Sequence, residues 1–240
     1  MTGRLYGYGT HVGNIREENE DNFCVAPEIG LWAVADGMGG YKGGKTASRI
    51  TVRQLAEDVL KGLSLAESIS EIHHTIIHAA KADPAIRGMG ATVVAMRTTE
   101  DVYEIVWVGD SRAYLWDGAR LKQITRDHSY VQHLVKEGII SEAEAAVHPS
   151  RHAVTQALGA EELEALDVET VSGILRKNEQ ILLCSDGLTS EVDNERISGI
   201  LLMAHSPQTA VDMLINEARA NGGSDNITVI LVSVSGEDGV

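Results

Sequence analysis

Three apolar runs in this chain, each too short for a helix, end in an aspartate beside a glycine, and these junctions constrain the fold more than any other feature. Leu31-Trp32-Ala33-Val34-Ala35 runs into Asp36-Gly37, Ile105-Val106-Trp107-Val108 into Gly109-Asp110, and Ile181-Leu182-Leu183-Cys184-Ser185 into Asp186-Gly187. A fourth aspartate, Asp225 after Gly222-Gly223-Ser224, opens the run Asn226-Ile227-Thr228-Val229-Ile230. Short continuous apolar runs bounded by turn residues read as strands buried on both faces. A single Asp-Gly is ordinary turn chemistry, but four at strand ends ask for more. If those ends converge on one rim, mutual repulsion and desolvation raise the carboxyl pKa values unless cations neutralise them.

The remaining pattern predicts strands at about Leu5–Thr10, Asn22–Ala26, Leu31–Ala35, Ala91–Arg97, Val102–Val108, Ala113–Trp116, Gln180–Ser185 and Asn226–Val234. Helical periodicity covers Thr46–Leu60, Leu65–Ala82, Ser129–Glu137, Asn194–Ala204 and Pro207–Ala220, the last with Ser206 as cap and Pro207 at the first helical position. Ala91–Thr125 reads as a meander of neighbouring antiparallel strands with turns such as Trp116-Asp117-Gly118. Strands and helix pairs are segregated, which points to α+β layers rather than a doubly wound parallel sheet. With no linker-like stretch, residues 1–240 read as one domain.

Charge narrows the partners. Twenty Lys+Arg against thirty-five Asp+Glu leave a net charge of −15, which excludes nucleic acid and acidic membrane surfaces as expected partners, because both are bound by cations. No apolar stretch approaches the roughly 18 residues of a membrane span and no leader is visible at the N-terminus, so a cytoplasmic location is expected. The two cysteines, Cys24 and Cys184, sit in apolar runs and read as buried thiols.

The candidate ligands are aspartate oxygens with glycine carbonyls nearby, and there is no Cys/His cluster of zinc spacing, so hard Mg²⁺ or Mn²⁺ is favoured. Two such ions bridged by aspartates hold and activate a water between them and offset charge on phosphoryl oxygens, chemistry suited to phosphate-ester hydrolysis. The polar segment Arg16-Glu17-Glu18-Asn19-Glu20-Asp21 adds acids and one guanidinium. Such a fork captures a phosphate better than an ammonium does.

Taken in order, Arg16-x-x-Asn19-Glu20-Asp21, Val34-Ala35-Asp36-Gly37-Met38-Gly39-Gly40, Gly88-Met89-Gly90-Ala91-Thr92, Val108-Gly109-Asp110-Ser111-Arg112, Cys184-Ser185-Asp186-Gly187-Leu188 and Gly223-Ser224-Asp225-Asn226 resemble the metal-dependent Ser/Thr protein phosphatases of type 2C, the PPM family. Six motifs in one order from about Tyr6 to Val234 make the match specific, and the length is similar to that of bacterial single-domain members. The resemblance implies a four-layer α-β-β-α sandwich with two central antiparallel sheets flanked by helix pairs. It implies that Asp36 bridges two Mg²⁺ or Mn²⁺ ions, that the Gly37 carbonyl binds one and that Asp186 with Asp225 binds the other. Glu20 and Asp21 would act mainly through metal-bound waters, Asp110 would share a third, weaker ion with Asp186, and Arg16 would bind phosphate. The implied substrates are phosphoserine and phosphothreonine proteins, with a bacterial Ser/Thr kinase as the opposing partner and a monomer as the working form. Asp127–Gly159 corresponds to the family's variable flap. Animal members carry D-G-H-G-G, whose histidine is proposed as the general acid; here Met38 stands in its place and donates no proton. A water on the third ion is the expected substitute.

Four other readings compete. Gly39-Gly40-Tyr41-Lys42-Gly43-Gly44-Lys45-Thr46 literally satisfies G-x-x-x-x-G-K-[ST], yet a P-loop needs βαβ units around a parallel sheet, which the meander contradicts. A cysteine phosphatase is excluded because neither cysteine is followed by an arginine six residues on, and His74 with His78 lacks a third ligand. A binding module that kept the fold and lost the chemistry would have replaced Asp36, Asp186 or Asp225, and all three are present.

Overall fold

Two five-stranded sheets carry the computed structural model, which describes residues 4–39, 42–161 and 166–234. The first sheet contains β1 (Arg4–His11), β8 (Arg112–Trp116), β9 (Leu121–Gln123), β11 (Gln180–Cys184) and β12 (Ile227–Val234), in the order β1-β12-β11-β8-β9. The second contains β2 (Asn22–Ala26), β3 (Leu31–Ala35), β6 (Val93–Thr99), β7 (Val102–Val108) and β10 (Glu169–Ile174), in the order β10-β7-β6-β3-β2. A short ribbon pairs β4 (Gly37–Met38) with β5 (Gly90–Ala91). Every strand pairing among the described residues is antiparallel.

Period-2 side-chain alternation builds three cores. On β3, Leu31 and Ala33 face α1 (Gly43–Leu60) and α2 (Leu65–Ala82), where they pack with Leu55, Ile69, Ile72 and Ile76. Trp32 and Val34 point the other way and meet Ile181, Leu183, Ile230 and Val232 of the first sheet. The outer face of that sheet, with Leu182, Cys184, Val229 and Leu231, is covered by α6 (Asn194–Met203) and α7 (Pro207–Ala220) through Ile197, Ile200, Val211 and Leu214. The layers are therefore α-β-β-α. The long helices are closed locally: Ser64 and Glu67 form a capping box at α2, and Ser206 caps α7 with Pro207 behind it.

The expected meander is corrected by the pairing. β6 and β7 do pair, but the other neighbour of β7 is β10, while β8 pairs with β11 and β9. At Gly109-Asp110-Ser111 the chain leaves one sheet and enters the other. Gly109 has φ +106°, and a Cβ there would press into Thr92, so the chain swings across the sandwich instead of folding back beside β7. This crossover puts Asp110 between the two sheets. Among the described residues, no helix is long and apolar enough to cross a membrane. Both cysteines are free, Cys184 fully buried and Cys24 half-buried.

Candidate active site

Strand register brings the four aspartates to one end of the sandwich. Cys184, two residues before Asp186, pairs with Arg112 of β8 and Val229 of β12. His11 pairs with Ile227, so the start of β12 lies beside the end of β1. Ala35, just before Asp36, pairs with Asn22, so Glu20 and Asp21 enter the sheet where β3 leaves it. A cavity of about 250 Å³ opens there, walled by Arg16, Glu20, Asp36, Gly37, Asp110, Asp186 and Asp225 with Met38 and Asn226. Asp21 lies behind this wall, buried, and its Oδ2 accepts from Ser185 Oγ at 2.8 Å and Thr228 Oγ1 at 2.7 Å.

The surrounding backbone is tightly fitted. Asn226 Nδ2 donates to the carbonyls of Val12 and Glu18, and its Oδ1 accepts from the Glu20 amide at 2.8 Å, so one amide side chain ties the Arg16–Asp21 segment to the start of β12. A Cβ at Gly37 would run into the Gly44 carbonyl at the start of α1, so glycine alone lets β4 lie against that helix. The Asp36 carbonyl accepts from Thr92 N at 2.8 Å. Arg16 Nη2 reaches Asp225 Oδ2 at 2.7 Å, both half-exposed.

Crowding shows in the electrostatics. Burial, then the charges of Asp21, Asp186, Asp110 and Asp225, push the Asp36 carboxyl well above the ordinary range. Burial with Asp186 and Asp127 raises Asp110 to about 8. Burial outweighs the two hydroxyl donors on Asp21 and lifts it to about 7. Asp186, in hydrogen-bond contact with Asp36, is raised by burial and by Asp225. Among the described residues, Glu20 Oε1, Asp21 Oδ1 and Asp186 Oδ1 are buried with no hydrogen-bond partner. Orphaned carboxylate oxygens are costly, and an all-oxygen donor set suits Mg²⁺ or Mn²⁺. Among the described residues, no three acidic, histidine or cysteine side chains stand at the spacing of a closed metal cage. Like charges repel, and the acids ring the cavity rather than close on a point.

Among the described residues that line the site is a titratable side chain to which the sequence assigned no role. His152, from the 127–159 segment, lines the same cavity, and a charged imidazole there draws Asp186 toward its ionised form. Nothing in His148-Pro149-Ser150-Arg151-His152 links it to aspartates on distant strands, so only the tertiary fold reveals it. His152, Asp110 and Asp186 also border a second cavity of about 400 Å³ between α3 (Tyr130–Lys136), α4 (Glu142–Ala146) and α5 (Asp186–Thr189). The glycine-rich stretch before α1 makes no P-loop: β3 lies in an antiparallel sheet, and Lys45 faces solvent beside Glu18 at 3.5 Å. Gly40 and Tyr41 of that stretch lie outside the described residues. His74 and His78 are exposed on α2.

The model of the family Protein phosphatase 2C matches residues 15–212. The chain is 36% identical to the serine/threonine phosphatase stp of Listeria welshimeri over 94% of each chain. Its fold is similar to that of the S. agalactiae serine/threonine phosphatase, with TM-score 0.89, 30% identity and coverage of 97% of this chain and all of the other. It is also similar to the catalytic domain of the phosphatase PstP in complex with two manganese ions, with TM-score 0.82, 31% identity and coverage of 98% and 100%. Motifs, layers, acid-lined cavity and relatives agree, and the chain belongs to the protein phosphatase 2C family of serine/threonine phosphatases.

Proposed function

We propose that the chain hydrolyses phosphoserine and phosphothreonine in proteins at a binuclear Mg²⁺ or Mn²⁺ centre held by Asp36, the Gly37 carbonyl, Asp186 and Asp225. The observation that carries this reading is the convergence of buried, unpartnered carboxylate oxygens on a cavity that also presents a guanidinium. The two manganese ions of the PstP relative support it. Bound there, the ions supply an acidified water nucleophile and neutralise charge on the phosphoryl oxygens.

The remaining work falls to this chain's residues. Arg16 captures the phosphoryl group with its fork and orients it toward the aspartates. Asp110 and Asp186 hold a third, weaker ion, with Glu20 and Asp21 contributing through water. His152, which lines the cavity, takes the place of the third-ion water expected from the sequence as the donor to the leaving alkoxide, a role Met38 does not fill. Residues 127–159 act as the flap of a single catalytic domain, and the larger cavity beside α3 and α4 receives the polypeptide that flanks the phosphorylated residue. We place the protein in the cytoplasm as a monomer opposing a Ser/Thr kinase.

The experiment is hydrolysis of a phosphothreonine peptide with Mn²⁺ and with EDTA, by the native chain and by Asp36→Asn. Turnover is expected only with metal and with Asp36. Retained activity in EDTA, or in the Asn variant, overturns the binuclear reading.

A further inference from the structure

His128 lies outside the acid cavity, yet it grips the residue that precedes Asp110 on both sides. Its Nδ1 accepts from the Gly109 amide at 3.2 Å, and its own amide donates to the Gly109 carbonyl at 2.9 Å. The ring is buried beside Trp107 of β7, with centroids 6.5 Å apart, and its Nε2 stands 3.5 Å from Glu169 Oε1 of β10. Since Nδ1 accepts, the ring proton sits on Nε2, facing that carboxylate.

The same residue closes the base of the flap. The His128 carbonyl accepts from Thr155 N at 2.8 Å, Ser129 bridges Val154, and Tyr130 N donates to Ala153 O at 2.8 Å. One residue earlier, Asp127 takes Arg112 in a bidentate pair, with Nη2 to Oδ2 at 2.7 Å and Nε to Oδ1 at 2.9 Å. Asp110 is thus laced through Gly109 on one side and Arg112 on the other, both times to the strand of chain that begins the flap. A φ of +106° at Gly109 leaves the next peptide free to point elsewhere unless something holds it.

We propose that His128 is a positioning residue: by holding both backbone groups of Gly109 it aims the Asp110 carboxylate into the cavity and joins that carboxylate to the flap base as one hydrogen-bonded unit. The proposal rests on the reading above that Asp110 takes part in turnover. Outer residues that orient a ligand typically cost 10–100-fold when lost. Its consequence is that motion of the flap base and of Asp110 is shared.

The test uses the full chain and three substitutions. His128→Leu removes the acceptor, whereas His128→Asn puts an amide oxygen where Nδ1 was. In the Leu variant, phosphopeptide kcat is expected to fall about tenfold with KM little changed, and deuterium exchange of the metal-free protein to quicken together in residues 105–112 and 150–156. The Asn variant should recover most of both. In an Asp110→Asn background, His128→Leu should cost nothing further. Equal impairment by Leu and Asn, exchange that quickens in only one segment, or a full additional loss in the double variant overturns the proposal. If Asp110→Asn alone keeps native turnover, the catalytic reading of Asp110 fails, and the paired exchange response then decides whether His128 couples the two segments. Should the Leu variant not fold, His128→Gln, which still reaches Glu169 but not Gly109, takes its place with the same expected outcomes.

Discussion

Arg16 and Asp225 meet through a 2.7 Å ion pair at the mouth of the acid cavity, Arg16 from the loop after β1 and Asp225 from the loop before β12. Side-chain exposures of 53% and 33% put this pair in solvent, where such contacts are worth about 0–1 kcal/mol. The pairing is therefore loose enough to exchange: on the proposed reading, Asp225 would turn to a cation and the Arg16 guanidinium to a phosphoryl oxygen.

Arg16→Ala should raise KM for a phosphopeptide more than it lowers kcat, if the phosphate contact is similar in ground and transition states. Metal affinity measured by calorimetry should stay level or improve, because Asp225 loses a competitor. An unchanged KM with weakened metal binding would instead make Arg16 a structural partner of Asp225.

Asp110→Asn separates a turn residue from a ligand. Asn suits turns as well as Asp does, so a purely structural Asp110 tolerates the change. The expected result is normal folding, two ions still bound through Asp36, Asp186 and Asp225, and phosphopeptide hydrolysis at least tenfold slower, a barrier increase of about 1.4 kcal/mol. Native turnover assigns Asp110 to the turn, and loss of all metal binding moves it into the primary pair.

Much of this molecule was legible because its local signals agree. Leu31–Ala35 is apolar throughout and stops at Asp-Gly, and the strand has those bounds. Leu65–Ala82 keeps helical periodicity throughout, and the helix matches it. β10 was missed because its residues, Glu169-Thr170-Val171-Ser172-Gly173-Ile174, are mostly small and polar on an edge strand with alternate positions exposed. The pairing of β8 with β11 rather than β7 left no local trace, because strands buried on both faces choose partners by packing across the whole chain. At the site, the aspartates stood out by their junctions. Asp21 sitting on Ser185 and Thr228, and His152 facing Asp186, depend on contacts between residues far apart in the chain, which spacing does not encode.

His152→Gln probes the proton of the leaving group. A phosphoserine alkoxide needs that proton, whereas p-nitrophenolate leaves without it. General-acid loss is worth about 10²–10⁴-fold, so kcat on a phosphopeptide should fall at least about a hundredfold while p-nitrophenyl phosphate turnover stays within a few-fold. Equal loss on both substrates would make His152 a structural or binding residue of the flap.

The raised carboxyls set the pH dependence of the metal-free protein. In the unfolded chain these acids ionise at about 3.9, whereas in the fold Asp21 holds its proton to about 7 and Asp110 to about 8, with burial as the first cause in both. Between those limits the native state binds more protons than the unfolded state, so stability must fall as pH rises. Tm of the EDTA-treated chain should therefore drop from pH 5 to pH 8, and Mn²⁺ should reverse the drop. A net charge of −15 adds general repulsion in the same direction, but that part is screened by salt, whereas the buried acids are screened much less. The slope should consequently persist in 0.5 M NaCl, roughly one-half a nanometre of screening length, and flatten in Asp36→Asn, which removes an acid raised by burial and then by four neighbouring carboxylates. The same variant should be more heat-stable than the native chain at pH 8 without metal while hydrolysing nothing with it. A metal-free Tm that is level or rises from pH 5 to 8 would show that these carboxyls already ionise in the fold at their ordinary values.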